Sequence, residues 1–236
     1  HDVMTGGFPC QSFSMVAQNP PRLGHDDERG RLYFEMCRLL LAHRPQVFIA
    51  ENVKGLLSAN QKQAFPLLLE EFRQCGYHIH WDLLDAADYG VPQRRQRVFI
   101  VGFRNLTAST SFKFPRPVAD KYRSVLGDVL HPRSEVEEKY FFSDRALRGL
   151  AKTRNGSIKT KGRVQDANKP CNTVGAHLAK VSLNSTDPVV KTAGRIRMFS
   201  PREVARIQSF PESFQLRGVK TTDYKALGNA VPPVLM

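Results

Sequence analysis

Apolar and polar positions along the first hundred residues predict strands and helices in alternation. Residues 46–50 form a nearly continuous apolar run, typical of a strand buried on both faces of a parallel sheet. Residues 29–43 carry an apolar stripe at helical spacing, made of Leu32, Met36, Leu39 and Leu40. The other predicted elements are a strand at 2–5, a helix around 65–72 that stops at Gly76, and strands near 77–84 and 97–101. This alternation with short joins predicts an α/β fold.

The pattern changes after the last of these strands. Residues 104 to about 191 are rich in Pro, Ser, Thr, Asn and Lys without a sustained period, so we expect a second module there. At Ser200 a capping serine, a following proline and Glu203 predict the start of a helix that ends before Phe210. The closing residues 228–233 are predicted to form a turn.

Charge is distributed unevenly along the chain, which has a net charge of +13. Residues 1–100 hold 11 basic and 11 acidic residues, whereas residues 101–236 hold 24 basic and 11 acidic residues. A neutral N-terminal part and a basic C-terminal part indicate a core with one function and a second module that binds a polyanion. Nucleic acid is the first hypothesis for that polyanion. A lysine-rich surface that only aids solubility is the alternative.

Composition argues against several classes of protein. The four cysteines form no Cys-x-x-Cys pair, which argues against a zinc site and a disulfide framework and fits a reducing cytoplasm. No apolar run approaches the roughly 20 residues that cross a bilayer. We therefore expect a cytoplasmic protein without a metal and without a membrane partner.

Two chemically useful side chains follow predicted strands. Cys10 follows the first strand through a Gly-Gly-Phe-Pro turn, and Glu51 with Asn52 follows the apolar strand. Functional groups gather at the carboxyl ends of strands in open α/β sheets, so the thiol and the carboxyl converge if these strands are neighbours. That pair suits attack of a thiolate on an unsaturated ring beside a carboxylic acid. A cysteine is more often a buried small hydrophobe, which is our interpretation of the other three, Cys37, Cys75 and Cys171.

A third cluster is the segment Gln93-Arg94-Arg95-Gln96-Arg97, which stands before an apolar strand. In an extended chain Arg95 and Arg97 share one face and can donate to a carboxylate or a base carbonyl. A solvated basic edge is the alternative, and it fits Arg94 best.

The chain resembles the DNA (cytosine-5)-methyltransferase family in the ordered blocks GFPCQSFS, ENVKGLL, DYGVPQRRQRVFIVG, SPREVARIQSFPESF and LGNAVPP. A long basic variable stretch separates the third block from the fourth. The resemblance implies an S-adenosylmethionine-dependent methyltransferase (Rossmann-like) sheet, N-terminally incomplete, with a smaller basic target-recognition domain. The implied ranges are a partial catalytic domain at 1–103, the recognition domain at 104–191, and its helix with the return to the catalytic domain at 192–236.

The resemblance also implies roles for matching residues. Cys10 matches the nucleophile that adds to C6 of cytosine, and Glu51 matches the carboxyl that contacts N3 and the exocyclic amine. Arg95 matches the arginine that holds the base, and Arg97 its neighbour that steadies the glutamate or the loop. Residues 14–29 match a loop that closes on the DNA around a flipped-out base. Further substrate-binding positions are expected at Phe8, Pro9, Gln11, Ser14, Asn52, Gln93 and Thr173.

S-adenosylmethionine is the cofactor that the resemblance implies. The family's Phe-x-Gly-x-Gly loop normally precedes the Pro-Cys-Gln block, whereas this sequence starts at His1. The positions left for cofactor contact are Pro9, Leu32 and Asn229, so we expect the chain alone to bind the cofactor poorly. A fragment, a subunit whose second polypeptide supplies the cofactor half, and a degenerate DNA-binding relative are the open explanations. The intact catalytic residues favour the first two.

The leading hypothesis is a methyltransferase that acts on double-stranded DNA in a restriction–modification system. An RNA cytosine methyltransferase is the second hypothesis, and the large variable module argues against it. A DNA-binding module without catalysis is the third.

Overall fold

The computed structural model describes residues 1–8, 28–151, 163–179 and 187–236. Its strands and α-helices are, in chain order, β1 (Val3–Gly7), α1 (Glu28–His43), β2 (Val47–Val53), α2 (Ala64–Gln74), β3 (His78–Asp85), β4 (Gln93–Arg94), β5 (Gln96–Phe103), α3 (Leu106–Ser111), α4 (Asp144–Ala151), β6 (Cys171–Asn172), β7 (Val190–Thr192), β8 (Arg195–Arg197), α5 (Pro201–Ile207) and α6 (Lys220–Asn229). Short 3-10 helices occur at Lys54–Lys62, Ala86–Tyr89, Asp120–Tyr122, Leu126–Val129, Arg133–Glu135 and Glu138–Tyr140.

The chain forms two compact units. Unit 1 is His1–Leu84 with Gln96–Arg116, and unit 2 is Asp85–Arg95 with Pro117–Met236. Both units are therefore built from two separate stretches of sequence. The three domain ranges expected from the sequence remain predictions.

Unit 1 is built on a four-stranded sheet with the order β1-β2-β5-β3. β1 and β2 run parallel, as their apolar pattern predicts, but β5 pairs with β2 antiparallel. The sheet is therefore mixed, because an apolar run reports burial and not the direction of the neighbouring strand. The buried Phe48 ring lies between Phe72 and Tyr77, at centroid distances of 4.8 and 5.1 Å.

The two longer helices of unit 1, α1 and α2, agree with the sequence pattern, whereas the short α3 was not predicted. α1 covers the predicted range, and its Met36 and Leu40 are buried against the sheet. α2 buries its apolar face and ends as predicted before Gly76, whose φ of +89° is readily adopted by glycine.

Unit 2 has its own apolar core around Leu126, Val174, Phe199 and Tyr224. The predicted capping box is confirmed, because the Ser200 side chain accepts from the Glu203 amide and the Glu203 carboxylate accepts from the Ser200 amide. The prediction of a turn at residues 228–233 missed α6, whose last two residues are Gly228 and Asn229.

No helix within the described ranges has both the length and the apolar character that a membrane span requires. The same ranges contain no group of three or more His, Cys, Asp and Glu side chains that could hold a metal ion.

Candidate active site

The carboxyl ends of β1 and β2 lie side by side in unit 1. Gly7, the last residue of β1, is paired with Glu51 of β2. A Cβ atom at Gly7 would stand 3.7 Å from Glu51 Oε2, so the carboxylate lies directly beside this backbone. The condition set by the sequence, that the two strands are neighbours, is confirmed. The chain therefore leaves β1 toward Cys10 at the point where Glu51 stands.

Glu51 forms an ion pair with Arg97. Arg97 Nε lies 2.8 Å from Glu51 Oε1, and the two side chains are only 12% and 14% exposed. Arg97 is paired with Val53 across β2 and β5, which places it on the same face of the sheet as Glu51. The structure thus brings together two of the four predicted catalytic residues in a largely dry setting, where charge–charge interactions are stronger than in water.

Asn52 fixes the chain just beyond β1. Its Nδ2 donates to the Phe8 carbonyl at 2.8 Å, and its Oδ1 accepts from the Val53 amide at 2.8 Å. Asn52 and Phe8 are both almost fully buried. These two predicted substrate-binding residues therefore hold the backbone that leads toward Cys10.

Arg95 lies in unit 2 and is only 2% exposed. Its guanidinium donates to three carbonyls, those of Val174 at 3.1 Å, Gly228 at 3.0 Å and Ala230 at 2.9 Å. Its backbone amide donates to Asp85 Oδ1 at 3.0 Å. Arg95 thus ties the segment after β6 to the end of α6.

Gln93 ties the same segments together. Its side-chain Oε1 accepts from the Val174 amide at 2.9 Å, and its Nε2 donates to Gln208 Oε1 at 2.7 Å. Gln93 and Gln208 are completely buried, and the Gln208 amide donates in turn to the Leu227 carbonyl. Gln208 was missed from the sequence because nothing local distinguishes a buried, bonded glutamine from an exposed one.

Comparison with known proteins places these features in a family. The sequence model of the family described as C-5 cytosine-specific DNA methylase matches residues 1–236. The chain belongs to this family. It is 34% identical to the type II methyltransferase M1.ScrFI of Lactococcus lactis subsp. cremoris, over 98% of this chain and 59% of that protein. It is 34% identical to the type II methyltransferase M.DsaV of Dactylococcopsis salina, over 98% of this chain and 65% of that protein.

The chain thus spans less than two thirds of the length of each of these two relatives. Two solved structures share its fold, the S. pombe Dnmt2 methyltransferase and the Entamoeba histolytica methyltransferase EhMeth. Both have a TM-score of 0.73, at 18% and 17% identity, and cover 99% of this chain and 75% and 74% of those chains. The methyltransferase fold expected from the sequence is confirmed.

The remaining predicted site residues of this C-5 cytosine methylase chain are either exposed or outside the described ranges. The exposed Thr173 donates through Oγ1 to the Arg94 carbonyl at 2.7 Å, and Asn229 is exposed as the last residue of α6. The predicted residues that lie outside the described part of the chain are Pro9, Cys10, Gln11 and Ser14, together with the side chain of Leu32.

One polar contact beside the methylase motifs was not predicted. Lys54 Nζ donates to Gln96 Oε1 at 2.9 Å, and both side chains are solvent-exposed. Lys54 lies three residues after Glu51, and Gln96 lies directly before Arg97. The positions of Lys54 and Gln96 inside the two motif blocks were the only sequence features that could have pointed to this contact. The partner is a neutral amide, and within the described ranges Lys54 forms no ion pair with a carboxylate.

Proposed function

We propose that the chain carries the base-binding and DNA-binding part of a DNA (cytosine-5)-methyltransferase of a restriction–modification system. The observation that carries the proposal is the Glu51–Arg97 ion pair beside Gly7, at the edge of the sheet from which the chain proceeds to Cys10. The type II methyltransferases that the chain matches at 34% identity support the same assignment.

Each residue has a chemical task in the proposed reaction. The Cys10 thiolate adds to C6 of cytosine, and Glu51 in its protonated form donates a hydrogen bond or its proton at ring N3, which relieves the negative charge that builds up. C5 then has enamine character and takes the methyl group. Loss of the C5 proton to a base, return of the N3 proton to Glu51 and elimination of the thiolate restore the ring and free Cys10.

Arg97 is favoured over Arg95 for the side of the pocket that faces the base. Arg97 already holds the carboxylate that would meet the ring, whereas the Arg95 guanidinium is buried and donates to three carbonyls. We infer that Arg95 acts on the reaction by positioning the segment around Thr173 and Val174.

S-adenosylmethionine, the donor implied by the family, supplies the methyl group when it is bound. Of the three positions expected to contact it, Asn229 is exposed at the end of α6, and the side chains of Pro9 and Leu32 lie outside the described residues. The described residues do not make up a cofactor site by themselves. They serve to bind and orient the base.

Double-stranded DNA is the proposed substrate. A stacked cytosine is out of reach, so the enzyme flips it out, which costs a few kcal/mol. The excess of basic residues after position 100 supports phosphate contacts by the second half of the chain.

Covalent trapping tests the proposal. The protein, supplied with S-adenosylmethionine and with the cofactor-binding half where this is a separate polypeptide, is incubated with a duplex containing 5-fluorocytosine, whose C5–F bond blocks elimination. A denaturation-resistant adduct is expected, and Cys10→Ala abolishes it while Cys37→Ala does not. Shifted DNA without an adduct would indicate a binding module, and an adduct on tRNA but not on duplex DNA would indicate the RNA enzyme. Methyl transfer that survives Cys10→Ala would refute the mechanism.

A further inference from the structure

Unit 2 contains a cleft that the proposed reaction does not use. Its volume is about 580 Å³, which lies in the range of small-molecule sites. Its apolar floor is formed by the buried Val136 and Tyr140 and the half-buried Leu216. Two of its basic side chains, Arg202 and Lys220, are candidate ligands for an anion.

The acidic groups that line this cleft already have partners. Glu135 Oε2 lies 3.0 Å from His131 Nδ1, and Glu137 Oε2 lies 2.7 Å from Lys139 Nζ. The Asp223 carboxylate accepts from two backbone amides, at 3.0 and 3.1 Å. Among the described residues, none of these carboxylates forms an ion pair with the other two cations of the cleft.

Arg202 and Lys220 have no carboxylate within ion-pair distance among the described residues. Arg202 Nη2 donates to the Phe214 carbonyl at 2.8 Å, while its enclosed Nη1 has no hydrogen-bond partner in the described part of the chain. Lys220 Nζ stands 5.6 Å from the Tyr140 ring centroid and 5.9 Å from that of Tyr224, contacts that leave its charge in place. Buried polar groups in native proteins are almost always hydrogen-bonded, so this donor calls for a partner such as an anion or a water.

We propose that this cleft binds a phosphate group, held by Arg202 and Lys220. A guanidinium and an ammonium that line one cleft match a phosphate better than a single carboxylate, because phosphate offers several oxygens and more charge. The apolar floor accommodates the organic part of a phosphate ester. The phosphate comes either from a free mononucleotide or from the DNA backbone, and the second source rests on the proposed function.

Direct binding to three probes tests the inference on the intact chain. Calorimetry measures the affinity for inorganic phosphate and for cytidine 5′-monophosphate. Fluorescence anisotropy measures the affinity for a short DNA duplex at fixed ionic strength. Loss of a charged hydrogen bond weakens binding by about tenfold, so Lys220→Met should lose about that factor. Lys220→Arg should retain most of the affinity because it keeps the charge. Arg202→Gln, which keeps an amide donor, provides a second variant if Lys220→Met folds poorly.

The matched control is Lys225→Met, which removes the same charge from an exposed position of α6 that does not line the cleft. A selective loss of mononucleotide binding in the cleft variants identifies a free ester as the ligand. A selective loss of duplex binding alone identifies the DNA backbone as the source of the phosphate. The inference is overturned if no probe distinguishes position 220 from position 225. Since the readout is binding, a negative result leaves covalent trapping by Cys10 unaffected, and the reverse also holds.

Discussion

At the scale of single residues, the proposed reaction depends on Glu51, which forms an ion pair with Arg97. We expect Glu51→Gln to slow methyl transfer by roughly 10²–10⁴-fold, because an amide cannot transfer a proton to the base. Single-turnover transfer from labelled S-adenosylmethionine to duplex DNA, with the complete enzyme, measures this step. Glu35→Gln is the control, since Glu35 forms an exposed ion pair with Arg38 on α1. Equal rates for the two variants would remove Glu51 from the mechanism.

The buried ion pair between Arg197 and Glu203 belongs to the stability of unit 2. The carboxylate oxygens lie 2.7 and 2.8 Å from the two terminal guanidinium nitrogens, and both side chains are completely buried. Glu203→Gln leaves a buried guanidinium without its counter-charge, so we expect a loss of about 3 kcal/mol or more in the free energy of unfolding. Urea denaturation measures it. The control, Glu212→Gln, breaks the partly exposed pair with Arg206 and should change stability by at most about 1 kcal/mol.

The same pair predicts a pH dependence. Burial alone would raise the pKa of Glu203, but the hydrogen bonds from Arg197 and from the Ser200 amide outweigh it and hold this pKa below its ordinary value. A lowered folded-state pKa stabilises the protein above the unfolded-state pKa, and this contribution is lost as the pH falls through the folded-state pKa. The stability gap between the native protein and Glu203→Gln should therefore shrink in acid, below about pH 4. A gap that stays constant from pH 7 to pH 3 would contradict this assignment.

At the scale of elements, periodic segments were predictable and aperiodic ones were not. The apolar stripe of α1 and the capping box at Ser200 identified their helices, because each signal is local. α6 was missed because few of its apolar side chains are buried, mainly Tyr224 and Leu227, while its buried Asp223 accepts backbone amides. Neither of these features produces an amphipathic pattern in the sequence.

The candidate site was predictable only in part. Apolar strands followed by Cys10 and Glu51 predicted one edge of a sheet, and the β1–β2 pairing confirms that the strands are neighbours. Alternation along the Gln-x-Arg-x-Arg segment suggested one shared face for Arg95 and Arg97. In the structure Arg95 belongs to unit 2 and Arg97 to unit 1, because the chain passes from one unit to the other between Arg95 and Gln96. The alternation of side chains along a strand gives no information about where such a boundary falls.

Packing between α6 and the segment after β6 depends on a glycine. A Cβ atom at Gly228 would lie 2.3 Å from the Gly175 carbonyl carbon and 2.4 Å from the Ala176 nitrogen. Backbone cannot move aside as a flexible side chain can, so we expect Gly228→Ala to lower the free energy of unfolding by about 1–3 kcal/mol, even though alanine favours a helix. Gly55→Ala is the control, because its nearest neighbour would be a Val53 methyl at 3.8 Å. Urea melts that give the same stability for both variants would disprove the close contact.

At the scale of the whole molecule, unit 2 consists of two separate stretches of the chain. This arrangement leads to a prediction that could not be made from the sequence. Residues 85–95 supply β4, which pairs with β6, and the side chains of Gln93 and Arg95 that hold Val174. Residues 85–95 belong to the same compact unit as residues 117–236, so these contacts are part of the structure of unit 2.

Arg95→Ala in the intact chain tests this dependence. It removes the guanidinium that donates to three carbonyls, two of them buried. We therefore expect unit 2 to lose about 3 kcal/mol or more and its amides to exchange hydrogen faster, in β6, α5 and α6 alike. The amides of β1, β2 and β5 in unit 1 should keep their protection. Hydrogen–deuterium exchange resolved by peptide measures both, with Arg94→Ala, an exposed neighbour, as the control. If Arg95→Ala loosened only residues 85–95 and left β6, α5 and α6 protected, this stretch would not be part of the cooperative structure of unit 2, and the module would fold independently of it.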